Sequence, residues 1–294
     1  MNTVWDPETI ARAARIQLRA RELAWGYRIG QHASKRVAKG IEFMDTKEYT
    51  PGDPIRDIDW RVAARSDRLV IRRQVAETDL KIFLVLDASA DMTAPSDAGS
   101  DSPFDRAVVL LASLAILLQR RGNAIGLLVL GGDDSEPVYL PPKRSKTHLS
   151  LLMTTLASVE PSGRAQIADG LSFCAQHLNA RSLCVVFSDL MEENSEWPSA
   201  LNALAARHVD VRMAHVYSEK ELELDFEQPI QFYSQEGLGQ LPVDPEAVRL
   251  AFAEVCSAYK SELIQQFSSS RGLYVPCPIE YAPGEALIRI LRGL

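Results

Sequence analysis

The sequence predicts an α/β protein: a doubly wound, mostly parallel sheet with helices on both faces, plus a small N-terminal module that is β-rich or irregular. Three observations carry this. From Lys81 onward, short apolar β-branched runs alternate with helical stretches, the pattern of βαβ units. The runs lack polar interruptions, as strands buried on both faces do. Two of them end abruptly in oxygen-bearing side chains: Asp87, Ser89 and Asp91 after one, Ser188 and Asp189 after another. Open α/β sheets bind ligands just past the carboxyl ends of their strands.

Taken in order, residues 6–24 read as a helix. Asp6 caps it, Pro7 suits its first turn, and Ile10, Ala14, Leu18 and Leu23 make a loose apolar stripe. Arg12, Arg15, Arg19 and Arg21 lie mostly off that stripe, on a solvated face or a docking face for an acidic partner. Residues 25–80 are rich in Gly, Pro and Asp, with short strand-like pieces at 40–43 and 69–75.

The regular alternation then begins. It predicts a strand at 81–87, a polar loop at 93–102 and a helix at 104–120, apolar nearly all round. A strand at 124–130 and a short antiparallel edge at 137–140 follow. Helices at 146–159 and 167–178, a strand at 182–187, a helix at 198–207 and a strand at 209–216 complete it.

Beyond Glu219 the pattern lapses. A hairpin is expected between 221–226 and 230–233. A long amphipathic helix covers 245–267, with Val248, Phe252, Cys256 and Tyr259 on one stripe, and a strand at 272–276 and a helix at 284–291 end the chain. The expected parts are thus 1–80, 81–218 and a C-terminal extension, 219–294, packing on the middle one.

The 294 residues are 46% hydrophobic and 24% charged, enough for a sizeable core. The net charge of −7 argues against nucleic acid and anionic membrane as partners. It is uneven: residues 1–80 hold 15 Lys/Arg against 12 Asp/Glu, which leaves −10 on the rest. Cys174, Cys184, Cys256 and Cys277 form no C-x-x-C pair, so they read as free thiols in a reducing cytosol. No basic leader and no run long enough to span a bilayer is present, and a cytoplasmic location is expected.

Chemistry concentrates in two places. Asp87, Ser89 and Asp91 would meet Asp189 if their strands are neighbours. Clustered carboxylates repel unless a cation or an arginine neutralises them. Mg²⁺ is the candidate cation, because hard cations want oxygen ligands. Arg164 is the candidate arginine. Some of the carboxylates can instead cap neighbouring amides.

The second place is the run from Gly40 to Arg65. It contains Glu42, Phe43, Tyr49, Pro51, Gly52, Asp53, Arg56, Asp59, Trp60 and Arg65. Pro51-Gly52-Asp53 is a turn, and the alternating Asp and Arg residues read as a salt-bridged knot around a large buried Trp60. No P-loop, no H-E-x-x-H spacing and no Gly-x-Ser-x-Gly elbow occurs.

The first constellation resembles the von Willebrand factor A fold and its metal-ion-dependent adhesion site. The family's D-x-S-x-S is matched at Asp87 and Ser89, with Asp91 in place of the second serine. Its Asp loop is matched by Ser188-Asp189. Its threonine aligns with Ala165, in Gly163-Arg164-Ala165-Gln166. A degenerate adhesion site is the reading this implies.

The second constellation, G-x-E-F … Y-x-P-G-D-x-x-R-x-I-D-W … A-R, followed by the D-x-S strand, resembles the signature of the domain-of-unknown-function-58 family. That family has von Willebrand A-like domains and is often paired with MoxR-type AAA+ ATPases. The resemblance implies a von Willebrand A-like sheet and a non-enzymatic interaction module. The module would act as an adaptor with such an ATPase, or with its client proteins, in the assembly or maturation of other proteins. The alternative is a Mg²⁺-dependent hydrolase or phosphotransfer enzyme using Asp87 and Asp189.

Overall fold

Pro7, the long absence of further proline and a wealth of Ala, Arg, Leu and Gln make one continuous helix, α1 (Pro7–Val37). Asp6 caps it as expected, its carboxylate accepting from the Thr9 amide at 2.9 Å. The helix does not stop near residue 24. Gly26 and Gly30 weaken a helix by only about 1 kcal/mol each, and good helix formers on either side carry it through.

The computed structural model describes residues 6–37, 46–50, 58, 64, 69–72, 80–93, 101–131, 137–191, 196–223, 230–233, 240–243, 245–270 and 272–292. The chain divides into two units: Met1–Ala24 with Asp79–Leu294, and Trp25–Thr78. In the smaller unit β1 (Thr46–Glu48) pairs antiparallel with β2 (Val70–Arg72), Thr46 opposite Arg72. The Tyr49 amide extends the ladder to the Leu69 carbonyl at 2.8 Å. The strand-like piece at 40–43 lies outside the described residues.

The larger unit is the predicted α/β fold. Its strands and helices run β3 (Lys81–Asp87), α2 (Pro103–Arg120), β4 (Ala124–Leu130), β5 (Val138–Lys143), α3 (Lys146–Ser158), α4 (Ile167–His177), β6 (Ser182–Ser188), α5 (Trp197–Ala206) and β7 (Val209–Tyr217). After α6 (Glu219–Glu223), β8 (Ile230–Tyr233), β9 (Gln240–Val243) and the long α7 (Pro245–Ser269) come β10 (Leu273–Pro278) and α8 (Pro283–Leu291).

Six strands form one sheet in the order β10-β7-β6-β3-β4-β5. All neighbours are parallel except β5, which runs antiparallel to β4 at the edge, as the short proline-bounded piece predicted. This is a mostly parallel sheet with an antiparallel edge, the fold class predicted.

Both faces are covered. Phe83, Val85, Cys184, Val186, Val211 and Met213 pack on one side with α4, α5 and the α7 residues Leu263 and Phe267. On the other, α2 crosses β3, β4, β6 and β7 and meets α3 and α8. Fourteen of its residues are buried, which is why it is apolar nearly all round. The Ser102 hydroxyl caps it, accepting from the Asp105 amide at 3.1 Å.

The predicted hairpin is corrected at its first strand: residues 221–223 are helical, and 224–226 lie outside the described residues. Glu219–Glu223 is a single helical turn, whose Glu221 amide donates to the Ser218 hydroxyl at 3.4 Å. Alternating Leu and acidic residues looked strand-like, but Glu, Lys and Leu favour helix and Ser218 supplies a cap. β8 pairs instead with β9, Ile230 opposite Val243.

Candidate functional site

The chain turns around at β3. Elements after it build outward through β4 and β5 on one side, and through β6, β7 and β10 on the other. The crevice between β3 and β6 is therefore the topological switch point, where open sheets take ligands. Leu86 is level with Phe187, so Asp87 and Ser188 come out of the sheet side by side.

They are bonded. The Ser188 hydroxyl donates to Asp87 Oδ2 at 2.5 Å, and the Ser89 amide donates to Oδ1 at 2.9 Å. The same Ser188 oxygen accepts from the Leu190 amide at 2.9 Å. Asp189 Oδ1 accepts from the Met191 amide at 3.1 Å. Asp91 sits on a 3-10 turn, Ala90–Thr93, held by Thr93 Oγ1 donating to the Ala90 carbonyl at 2.7 Å.

Backbone bonds tie three loops together. Ala88 donates to the Leu130 carbonyl at 2.7 Å, Ser162 to the Ala88 carbonyl at 2.9 Å, and Ala90 to the Gly163 carbonyl at 2.9 Å. These bring the Gly163–Gln166 loop against the β3 loop. Asp87, Ser89, Asp91, Ala165, Ser188 and Asp189 line one pocket of about 20 Å³, room for about one water-sized group. The four carboxylate and hydroxyl positions read from the sequence thus meet, and the aligned alanine meets them.

Arg164 has an exposed side chain on the same loop and is not among the pocket's walls. Of the second constellation, Tyr49 is placed beside Leu69. Glu42, Phe43, Pro51, Gly52, Asp53, Arg56, Asp59, Trp60 and Arg65 lie outside the described residues, as does the loop from 94 to 100.

Electrostatics follow from burial. Asp87 is 3% exposed. Desolvation pushes its carboxyl up, against the Ser188 and Ser89 bonds that pull it down. Asp189 is pushed up to about 8 by burial first, then by the charge of Asp87 and, more weakly, of Asp91. A raised carboxyl costs stability once the unfolded chain ionises. The cost grows from about pH 4 to about pH 8 and is constant above. Asp189→Asn is therefore expected to stabilise the protein at pH 8 by about 1–2 kcal/mol, and not at all below pH 4. Thermal denaturation of both proteins across this range reads the effect, and a variant no more stable at pH 8 contradicts it.

Several supporting residues gave no sequence signal. Leu190 is a buried leucine in the left-handed region, φ 58°, a strain that neighbours must hold. The Tyr259 hydroxyl from α7 donates to its carbonyl. His215, on β7, is buried and neutral, its imidazole lowered to about 3 by desolvation. It bonds the Tyr274 hydroxyl through Nδ1 at 2.6 Å and also the Asp189 backbone. Alternation on a strand predicts its burial but not its partners.

The profile of a family described as "Protein of unknown function DUF58" matches residues 45–262. Uncharacterised proteins of Mycobacterium tuberculosis and Mycobacterium bovis are each 26% identical over 265 residues, covering 88% of this chain and 81% of theirs. Among solved structures, an aerotolerance-related membrane protein from Bacteroides fragilis aligns with a TM-score of 0.49 at 16% identity, over 72% of this chain and 96% of that one. BatB from Bacteroides thetaiotaomicron gives 0.46 at 15%, over 73% and 100%. The VWA domain of SpRpn10 gives 0.41 at 14%, over 71% and 93%.

Proposed function

The chain belongs to the DUF58 family, and on that premise we propose that it is a non-enzymatic protein-interaction module, an adaptor for a MoxR-type AAA+ ATPase in the assembly or maturation of other proteins. Docking uses the carboxyl edge of the sheet. The observation that carries this reading is the pocket at the switch point, where Asp87, Asp91 and Asp189 meet beside exposed loops.

The edge is a degenerate form of an adhesion site. Ala165 offers no oxygen where the resemblance places a threonine. Both Asp87 oxygens already accept protein hydrogen bonds. Among the described residues, no three His, Cys, Asp or Glu side chains are placed to hold an ion between them. This donor set does not fit a resident Mg²⁺. The Ser188 hydroxyl that donates to Asp87 is fully buried and also accepts from the Leu190 amide, so it is engaged inside the fold and not presented to a substrate, and that supports binding over catalysis. No described helix is long and apolar enough to cross a membrane.

Purified protein mixed with a MoxR-type ATPase from the same organism is expected to co-elute on gel filtration. Asp189→Arg is expected to weaken the association at least tenfold by reversing the charge of the edge. Absence of any association, with and without ATP, overturns the reading.

A further inference from the structure

The same edge of the sheet holds a second, larger cavity. It measures about 270 Å³ and is walled by Met191, Leu222, Phe252, Val255 and Tyr259. Met191 is shared with the carboxylate pocket, so the two adjoin. The cavity is open on one side: Val255 is 65% and Met191 58% exposed.

The apolar surface does not end at the cavity. Val248, Phe252, Val255 and Tyr259 follow one another at spacings of three and four along α7, and Val248 is also exposed. A ligand small enough to fill the cavity would leave that stripe in water. An exposed apolar stripe leading into a pocket is the form that receives a side chain carried on a larger surface.

The charges nearby select the partner further. Across Met191 stand Asp91 and Asp189, which repel each other and Asp87. The two polar walls of the cavity are engaged. Lys260 holds its ammonium 4.6 Å from the centroid of the Tyr217 ring, and His215 is bonded to Tyr274.

We infer that this cavity receives a large apolar side chain of a partner protein segment, and that a lysine or arginine beside it on that segment meets Asp189 and Asp91 across Met191. The inference rests on the interaction-module reading and names the chemistry of its partner. A cation supplied by the partner would occupy the place that the depleted donor set does not hold for a metal.

Fluorescence anisotropy of the full chain with three synthetic amphipathic peptides tests it. The peptides share one Leu/Trp face and differ only in a polar face of Lys, Gln or Glu. The Lys peptide is expected to bind at least about tenfold more tightly than the Glu peptide, and less tightly as salt rises. Val255→Glu is expected to weaken it at least tenfold, and Asp189→Asn about threefold. Leu151→Glu, on exposed surface of α3, is expected to change nothing. Val255 is a surface residue, so the variant's melting curve stays close to that of the parent.

Equal binding of the Lys and Glu peptides, no binding of any, or indifference to Val255→Glu overturns the inference. If the ATPase still associates and ignores Val255→Glu, only the cavity's role falls. If the unaltered protein never associates, the interaction reading falls with it.

Discussion

Gly131→Ala is expected to destabilise the protein by about 3 kcal/mol or more and to disorder the loop that carries Asp87, Ser89 and Asp91. Gly131 follows β4 with φ 125°, a conformation that costs any side-chain-bearing residue. The larger effect is collision. A Cβ there would stand 2.5 Å from the Ala88 carbonyl oxygen, 2.6 Å from its carbon and 3.0 Å from the Ser89 nitrogen. These are backbone atoms, and the Ala88 amide is fixed to Leu130 at 2.7 Å, so no flexible side-chain end can yield.

Gly122→Ala is the control. Gly122 has φ 85° but nothing within 4 Å of its Cβ position, so it pays conformational strain alone, about 1 kcal/mol. Chemical denaturation measures both, and amide exchange at Ala88 and Ala90 reports the loop. Equal costs at the two glycines would show that the close approach at Gly131 is not constraining.

Phe267→Ala is expected to cost about 3–5 kcal/mol, the range for emptying a buried aromatic site. Phe267 is fully buried near the end of α7 and stacks on Trp197 of α5, centroids 5.0 Å apart and planes 16° apart. It joins the core face that includes Val186, Val211 and Met213. Its carbonyl accepts from Gly272 at 2.8 Å, at the turn into β10. Losing the ring loosens α7, and α7 supplies the outer wall of the apolar cavity and the Tyr259 hydroxyl that holds Leu190. Peptide binding is expected to weaken along with stability. Ile264→Ala, three residues earlier and 49% exposed, is expected to cost under about 0.5 kcal/mol. A similar cost at both positions would mean that α7 is not anchored through Phe267.

Legibility in the sequence varied with the range of the forces involved. The strands from β3 to β7 could be read because burial on both faces demands uninterrupted apolar residues. Their bounds are correct to within about two residues, apart from β5, which runs on past the predicted 137–140 to Lys143. α2 was legible for the same reason. Residues 221–223 alternate as a strand would, while their propensities and the Ser218 cap make them helical. α1 runs past the predicted end at residue 24 because good helix formers flank Gly26 and Gly30, whose cost they offset.

The candidate site divides along the same line. Asp87, Ser89, Asp91 and Asp189 were found because oxygen side chains at the end of a buried strand stand out against apolar neighbours. That Ser188 would bond Asp87, that the loop of Ala165 would close the pocket and that Tyr259 would hold Leu190 could not be read. Those contacts join residues far apart in sequence, brought together by the register of β3 and β6 and by the packing of α7. The apolar cavity belongs wholly to the second kind. Met191, Leu222 and Phe252 are ordinary hydrophobic residues in the chain, and only the packing of α7 along the sheet's edge makes them one surface.

The sequence by itself determined the alternation of elements, the sheet and the edge at which its carboxylates cluster, because burial and local periodicity are written residue by residue. The tertiary structure alone decided which loops meet there, how the carboxylates perturb one another and that an apolar cavity adjoins them, because these depend on distances between segments that no local pattern encodes.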